Sequence, residues 1–285
     1  MDTDVVTLFF ALLATFAQLV VLVAVVLAVG ARLSPSLARA KASVLDVLAP
    51  QALALAAVVA LVCTVGSLYL SEVAHFVPCR LCWYQRIAMY PLVVVLGVGA
   101  IRRDAGARLT GAILAGLGAC VSIWHLLVER YPNLESSACD PRNPCSFKWV
   151  EEFGYLTIPG MALSGFALIL VLLAADMVGA SEWLLQTTVE YAKVRTQFGA
   201  PIGSFQAVKH ILADMLCRSE QLSAAAWDQA GAVDDLLAAG ESGDLALGTQ
   251  AGLATLVGNV LVADLPLANA KDCIQVLGGI GFTFE

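Results

Sequence analysis

Val5 to Val29 is a run of 25 residues without a single charge, and this constrains the fold more than anything else in the chain. A helix of that length crosses the roughly 30 Å hydrocarbon core of a bilayer with some tilt. In hydrocarbon the backbone must satisfy its own hydrogen bonds, which leaves helices or closed barrels. A cleaved signal peptide is the competing reading, but Asp2 and Asp4 are acidic where a signal needs a basic stretch, and the run is too long. Four more apolar stretches follow: Gln51 to Ser71, Leu81 (or Ile87) to Ile101, Leu109 to Val128, and Leu156 to Ala175. With 59% hydrophobic and 14% charged residues, the expectation is an all-α, multi-pass membrane protein. Five transmembrane helices are followed by a partial soluble helical bundle.

The charges orient it. Arg32, Arg39 and Lys41 follow the first span in a short linker around Ser34-Pro35-Ser36, and Arg102, Arg103 and Arg108 follow the third. The positive-inside rule puts both linkers in the cytoplasm and the N-terminus outside, at a cell membrane. Residues 1–178 hold 11 Lys and Arg against 11 Asp and Glu, whereas 179–285 hold 5 against 12. An acidic tail argues against nucleic acid as a partner. Three regions are expected: 1–50, a first span and linker; 51–178, a four-helix membrane unit; and 179–285, a cytoplasmic helical segment.

Two cysteine pairs fall on the outer side of this topology. Cys79-Arg80-Leu81-Cys82 opens the third span, and thiols at that spacing form an exchangeable disulfide, one thiol being activated by a helix start or a nearby cation. Arg86 follows Cys82 by one helical turn, on the same face. An arginine at a membrane edge is costly, which favours a functional reading over a side chain merely snorkelling to headgroups. A thiolate at Cys82 is expected beside it. Cys139 and Cys145, six positions apart around Pro141 and Pro144, sit in a polar loop between the fourth and fifth spans. Turns there can bring the sulfurs together in an oxidising compartment. A structural bridge, a relay between two disulfides and a four-cysteine zinc site are all open, although two spans separate the pairs, unlike a compact zinc ribbon. No metal is expected. His125, near the outer end of the fourth span, is either an assistant to chemistry or a satisfied polar group between helices. Trp83, Tyr84, Trp124 and Trp149 read as an interfacial aromatic belt that also offers a pocket lining. Cys63 and Cys120 read as packing.

Cys79-x-x-Cys82-Trp83-Tyr84-Gln85-Arg86 through Tyr90-Pro91, with Cys145-Ser-Phe-Lys-Trp149 and Glu152-Phe-Gly154-Tyr-Leu-Thr157-Ile-Pro159, resembles the disulfide bond formation protein B (DsbB) family and its BdbC-like branch. The likeness covers about 50–177, and the first span is additional to the family's four-helix core. It implies a thiol:quinone oxidoreductase. Cys139 and Cys145 would exchange with a DsbA-like, thioredoxin-fold extracytoplasmic oxidant. Cys79 and Cys82 would pass two electrons to ubiquinone or menaquinone in the membrane lipid. Arg86, and more weakly Tyr84 and His125, would bind the quinone.

The tail carries a second likeness. Tyr191-Ala-Lys193-Val-Arg195-Thr-Gln197-Phe198-Gly199-Ala-Pro201-Ile-Gly203-Ser-Phe205-Gln206, with Gln275-Val-Leu-Gly278-Gly279 near the end, resembles the C-terminal helical domain of acyl-CoA dehydrogenases over about 186–285. In that family Arg195, Gln197, Phe198, Gln275, Gly278 and Gly279 would touch FAD across a subunit interface. The remaining domains and the final helix that often carries the catalytic glutamate are missing, so a fused fragment is expected. The alternatives are a membrane-tethered module that pairs with a separate dehydrogenase subunit and binds FAD, and a fusion without function. Phe205, Val208, Ile211 (or Leu212) and Met215 predict a long amphipathic helix ending near Gly240. A further helical stretch is predicted from about Asp244 to Val276. Within it Leu253 to Leu267 reads as a buried bundle helix rather than a sixth span, because Asn259, Asp264 and Pro266 interrupt it.

Overall fold

The computed structural model describes residues 3–102, 104–135, 139, 142–242 and 264–278. It is almost wholly helical: α1 (Thr3–Leu33), α2 (Pro35–Leu68), α3 (Arg80–Arg102), α4 (Ala105–Arg130), α5 (Ile158–Val194), α6 (Gln206–Ser242) and α7 (264–277). Two minimal antiparallel pairs, β1 (Glu151–Glu152) with β2 (Leu156–Thr157) and β3 (Thr196–Gln197) with β4 (Ala200–Pro201), make the turns that flank α5. Five of the described helices are long and apolar enough to cross a membrane, which makes the protein a multi-pass membrane protein followed by a helical segment.

The first linker is shorter than the sequence suggests. Only Ser34 leaves helical geometry, and Pro35 restarts the helix at its first position, where its fixed φ suits the turn and its missing N–H leaves no gap. The basic residues Arg39 and Lys41 therefore ride on the first turns of α2. At its far end α2 widens into a π turn, Tyr69–Val73, and His75, at φ 58°, ends it. Asp104 caps α4, its Oδ1 accepting from the Gly106 N–H at 2.8 Å.

Helices α2 to α5 form a four-membered bundle, and α1 lies along the groove between α2 and α5. Lipid tails are as apolar as leucine, so association here rests on close packing rather than on escape from water. The sequence supplies small residues on the inner faces: Ala52, Ala56 and Ala60 on α2, and Ala112, Ala115 and Ala119 on α4. Phe166 of α5 is fully buried over Gly118, where any side chain would collide with its ring. Ile87, Val94 and Ile101 are exposed, as lipid-facing residues should be.

The bundle has two distinct ends. At one, Thr7 Oγ1 donates to Glu152 Oε1 at 3.0 Å, so α1 begins beside the loop that carries Cys145. At the other, Leu45, Ala174, Met177, Val178 and Leu222 form a second apolar cluster, and Lys41 Nζ donates to Ser223 Oγ at 3.0 Å. Arg108 and Asp176 pair there, between α4 and α5. The tail thus packs against the end opposite the cysteines. Its own core is a polar knot: Asn269 Nδ2 lies 2.6 Å from Ser181 Oγ, 3.0 Å from Ser219 Oγ and 3.2 Å from the Met215 carbonyl. The predicted stripe on α6 holds from Val208 through Met215 and on to Leu222, but Phe205 is exposed. Most of the apolar stretch 253–267 lies outside the described residues.

Candidate active site

Cys79 occupies the capping position of α3. Its carbonyl accepts the first helical bond, from the Trp83 N–H at 3.2 Å, and its Sγ accepts the Cys82 N–H at 3.3 Å, as a capping oxygen would. The two sulfurs, unbonded, are 3.1 Å apart. His125 of α4 is buried and brings Nε2 to 3.6 Å from Cys79 Sγ. The hydrogen bond with Cys82 holds the Cys79 thiol well below the ordinary thiol range, against opposing burial, and His125 adds to the effect. Helix N-terminus, Cys82 N–H and imidazole converge on Cys79, so it is the sulfur poised as thiolate. The sequence points to Cys82 for that role, whereas these contacts favour Cys79.

His125 is placed by both rings of contacts around it. Its Nδ1 lies 3.4 Å from Gln85 Nε2, and its Nε2 lies 3.0 Å from the Cys145 carbonyl oxygen. With the Gln85 amide donating to Nδ1, the Nε2 proton faces Cys145 O and the Cys79 sulfur. His125 therefore sits between the two cysteine pairs. It does not line the larger cavity described below.

Cys139 and Cys145 are joined as a disulfide. Cys145 is buried and clusters with Cys79 and Val128, while Cys139 is partly exposed. Glu135 clamps this loop: its carboxylate accepts the Cys145 N–H at 2.6 Å and the Ser146 hydroxyl at 2.9 Å. Asn143 Nδ2 ties it to the turn before Cys79 by donating to the Val77 carbonyl at 3.2 Å. Cys79, Cys82 and His125 also offer three metal-ligand atoms within 4.8 Å of one another. A soft divalent ion would accept that set, whereas the bonded Cys139 and Cys145 contribute no thiolate to a four-cysteine site.

Beyond Cys82 the protein opens into an apolar cavity of about 340 Å³ between α1, α2, α5 and the start of α3. Arg86, one turn below Cys82, is buried at its edge. Arg86 Nε donates to Ser67 Oγ at 3.0 Å and Nη2 to the Ser67 carbonyl at 2.9 Å. The guanidinium also stands 5.1 Å from the Trp83 ring centre and 6.0 Å from that of Tyr90. Tyr90, bonded to Ser67 Oγ at 3.2 Å, lines the cavity. Tyr84 does not, and its ring is exposed. A second cavity, of about 20 Å³, is bounded by Cys79, Cys82, His125 and Glu129. Cys82 belongs to both cavities, which gives it one side toward the loop disulfide and one toward the apolar space. Ser67, Gln85, Glu135 and Tyr90 were not singled out from sequence. Their hydrogen-bond partners lie well away in sequence, and Tyr90 also meets Arg86 one turn back along α3.

The tail residues expected to touch a flavin do not assemble comparably. Arg195, Gln197 and Phe198 lie on the exposed β3–β4 hairpin, Phe198 with 96% of its surface open and φ 54°. Gln275 and Gly278 are exposed at the end of α7, and Gly279 lies outside the described residues. None of the described five lines either cavity.

Comparison with known proteins separates the two parts of the chain. A family model for disulfide bond formation protein DsbB matches residues 49–176. Disulfide bond formation protein C of Bacillus subtilis is 44% identical over 115 residues, spanning 83% of that protein and 40% of this chain. The chain belongs to the DsbB family. A probable disulfide formation protein of Oceanobacillus iheyensis is 46% identical over 109 residues, 75% of its length and 38% of this chain. The DsbB-family match takes in α3, α4 and both cysteine pairs, and α1 lies outside it. A model for the acyl-CoA dehydrogenase C-terminal domain matches 161–285, reaching further back into α5 than the sequence motifs indicated. Acyl-CoA dehydrogenase FadE34 of Mycobacterium tuberculosis is 54% identical over 113 residues, 40% of this chain but 14% of that enzyme. No solved structure matches the chain.

Proposed function

We propose that this membrane disulfide-formation protein is a thiol:quinone oxidoreductase. It would reoxidise a thioredoxin-like extracytoplasmic dithiol protein and deliver the electrons to ubiquinone or menaquinone. One observation carries the reading: Cys82 stands between the buried cluster of Cys79 and Cys145 and an apolar cavity edged by the held Arg86 guanidinium. The cavity is within the usual range of about 300–1,000 Å³ for small-ligand sites and has their character, apolar walls with few polar groups. A flat apolar ring with a carbonyl directed at Arg86 fits that donor set. The cysteine end faces outward, because Arg39, Lys41, Arg102 and Arg108 are at the other.

The thiol chemistry follows from access. The partner's thiolate attacks Cys139, the more accessible of the two sulfurs, and Cys145 leaves as thiolate. The partner's second thiol then resolves the mixed disulfide, so two electrons pass to the loop pair. With Cys79 and Cys82 joined, Cys145 attacks the neighbouring Cys79 and expels Cys82 toward the cavity. Cys139 resolves the Cys79–Cys145 bond, restoring the loop disulfide and leaving Cys79 as thiolate beside His125. A quinone bound in the apolar cavity would supply the two-electron, two-proton acceptor that lets Cys79 and Cys82 rejoin. Arg86 holds positive charge where negative charge would develop, and Cys82 presents the sulfur that faces it.

Membranes containing the intact chain, fed with a reduced thioredoxin-like dithiol protein, should reduce quinone, and Cys82→Ala should abolish this. Equal rates in both would overturn the reading. The 54% identity to part of FadE34 favours a second one, a tethered FAD-associated module. It requires that the purified chain retain flavin and lose it on Arg195→Ala.

A further inference from the structure

We propose that α1, which lies outside both family matches, is the tail-selecting wall of the quinone cavity, with Ala17 at its tail end. The inference rests on the quinone reading above. A bundle of α2 to α5 alone would leave the α2–α5 groove open to lipid along its length, and α1 lies in that groove. Its inner face is small, with Ala11, Ala14 and Ala17 buried, and Ala14 and Ala17 border the cavity together with Phe10. Polar ties fix the helix in rotation as well as position. Gln18 Nε2 donates to Ser164 Oγ of α5 at 3.0 Å, and Gln18 Oε1 accepts from the Tyr155 hydroxyl at 3.0 Å. Such bonds are the specific component of helix association in a membrane.

The two ends of this wall meet different parts of the cavity. Phe10 packs on Gly66, where a Cβ would stand 2.7 Å from its ring, next to the Ser67 that holds Arg86. Ala17 lies seven residues further along, about 10 Å at 1.5 Å per residue, away from the cation and the sulfur. A quinone ring at Cys82 and Arg86 would therefore send its prenyl chain past Ala14 toward Ala17, where methyl side chains leave the room.

The test uses full-length protein in detergent and two probes, a tail-less benzoquinone and the same ring carrying prenyl units. Affinity is read by quenching of tryptophan fluorescence, since Trp149 lines the cavity, and KM and kcat are measured alongside. Ala17→Phe should weaken the prenylated probe by about 10–200-fold, the range over which apolar pockets sense small changes of bulk. The tail-less probe should lose far less affinity than the prenylated one, and Ala17→Val should fall between. Equal weakening of both probes would make α1 merely structural, and no change in either would remove it from the site. Both results overturn the proposal while leaving quinone reduction by the intact chain standing. If the intact chain binds neither probe, the quinone reading itself fails, and the inference with it. Should Ala17→Phe not fold, as judged by loss of thiol exchange with the dithiol partner, Ala17→Val decides alone by the same comparison.

Discussion

Ser67 and Arg86 form a pair whose division of labour is measurable. Arg86→Gln removes the cation at the cavity edge but not the cysteines, so only quinone reduction should suffer. Losing one preorganised charge-stabilising group costs about 10²–10³ in rate, roughly 2.7–4 kcal/mol. Ser67→Ala removes the acceptor at 3.0 Å from Arg86 Nε but leaves the backbone carbonyl at 2.9 Å from Nη2 and the Trp83 and Tyr90 rings. A hydrogen bond to a charged group is worth about 1.5–3 kcal/mol. With one of two anchors retained, the lower end applies, about tenfold in rate. Because Ser67 acts on the reaction through Arg86, the double variant should be no slower than Arg86→Gln, within about twofold. Rapid-mixing assays would separate the two half-reactions that the proposed function requires: exchange of the dithiol partner with Cys139–Cys145, and reoxidation of Cys79 and Cys82 by quinone. All losses should fall in the second. Slowed exchange in Arg86→Gln, or losses that multiply in the double variant, would refute the reasoning.

Cys82→Ala removes the main hydrogen bond holding the Cys79 thiol low. The pH dependence of Cys79 alkylation, followed by peptide mass spectrometry, should move up toward the ordinary thiol value of about 8.5. Cys82→Ser, which keeps a donor, should move it less, and the intact reduced chain should alkylate at neutral pH with no further gain above it. Glu135→Gln weakens the charged clamp on Cys145 N–H and Ser146. It should loosen the loop by about 1.5–3 kcal/mol, seen as faster proteolysis of the loop and slower exchange with the dithiol partner. Asn269→Ala leaves Ser181 and Ser219 without their shared donor. It should release α7 to limited proteolysis at a cost of about 1–3 kcal/mol, without changing quinone reduction.

The spans were legible because hydrocarbon permits so few structures, and the two cysteine pairs because their spacing is chemical rather than conformational. What escaped were contacts between helices. Ser67 on α2 and Glu135 at the loop's start belong to no local pattern, and nothing near them in sequence shows that they hold Arg86 and Cys145. Tyr90 was recoverable: it follows Arg86 by four residues, on the same helical face, whereas Tyr84 precedes Arg86 by two and faces away. His125 was legible in depth but not in direction, since its neighbours Gln85, Cys79 and Cys145 come from two other elements. Arg195, Gln197 and Phe198 keep the motif that carries the tail's likeness, yet they lie exposed on the β3–β4 hairpin, where this chain alone builds no cavity around them.

The junction between the two family matches is a single helix. At 37 residues, α5 runs about 55 Å at 1.5 Å per residue, from the cysteine loop to the β3–β4 hairpin, and both matches share 161–176 of it. The tail is therefore set like a cam on a shaft: one residue added near Gly179 would rotate everything after it by about 100°. Ser181 would turn away from Asn269, and Val178 and Leu222 would no longer meet. Joining two such parts without a hinge makes the length of the splice an angular setting, and only insertions near a whole number of turns would preserve it.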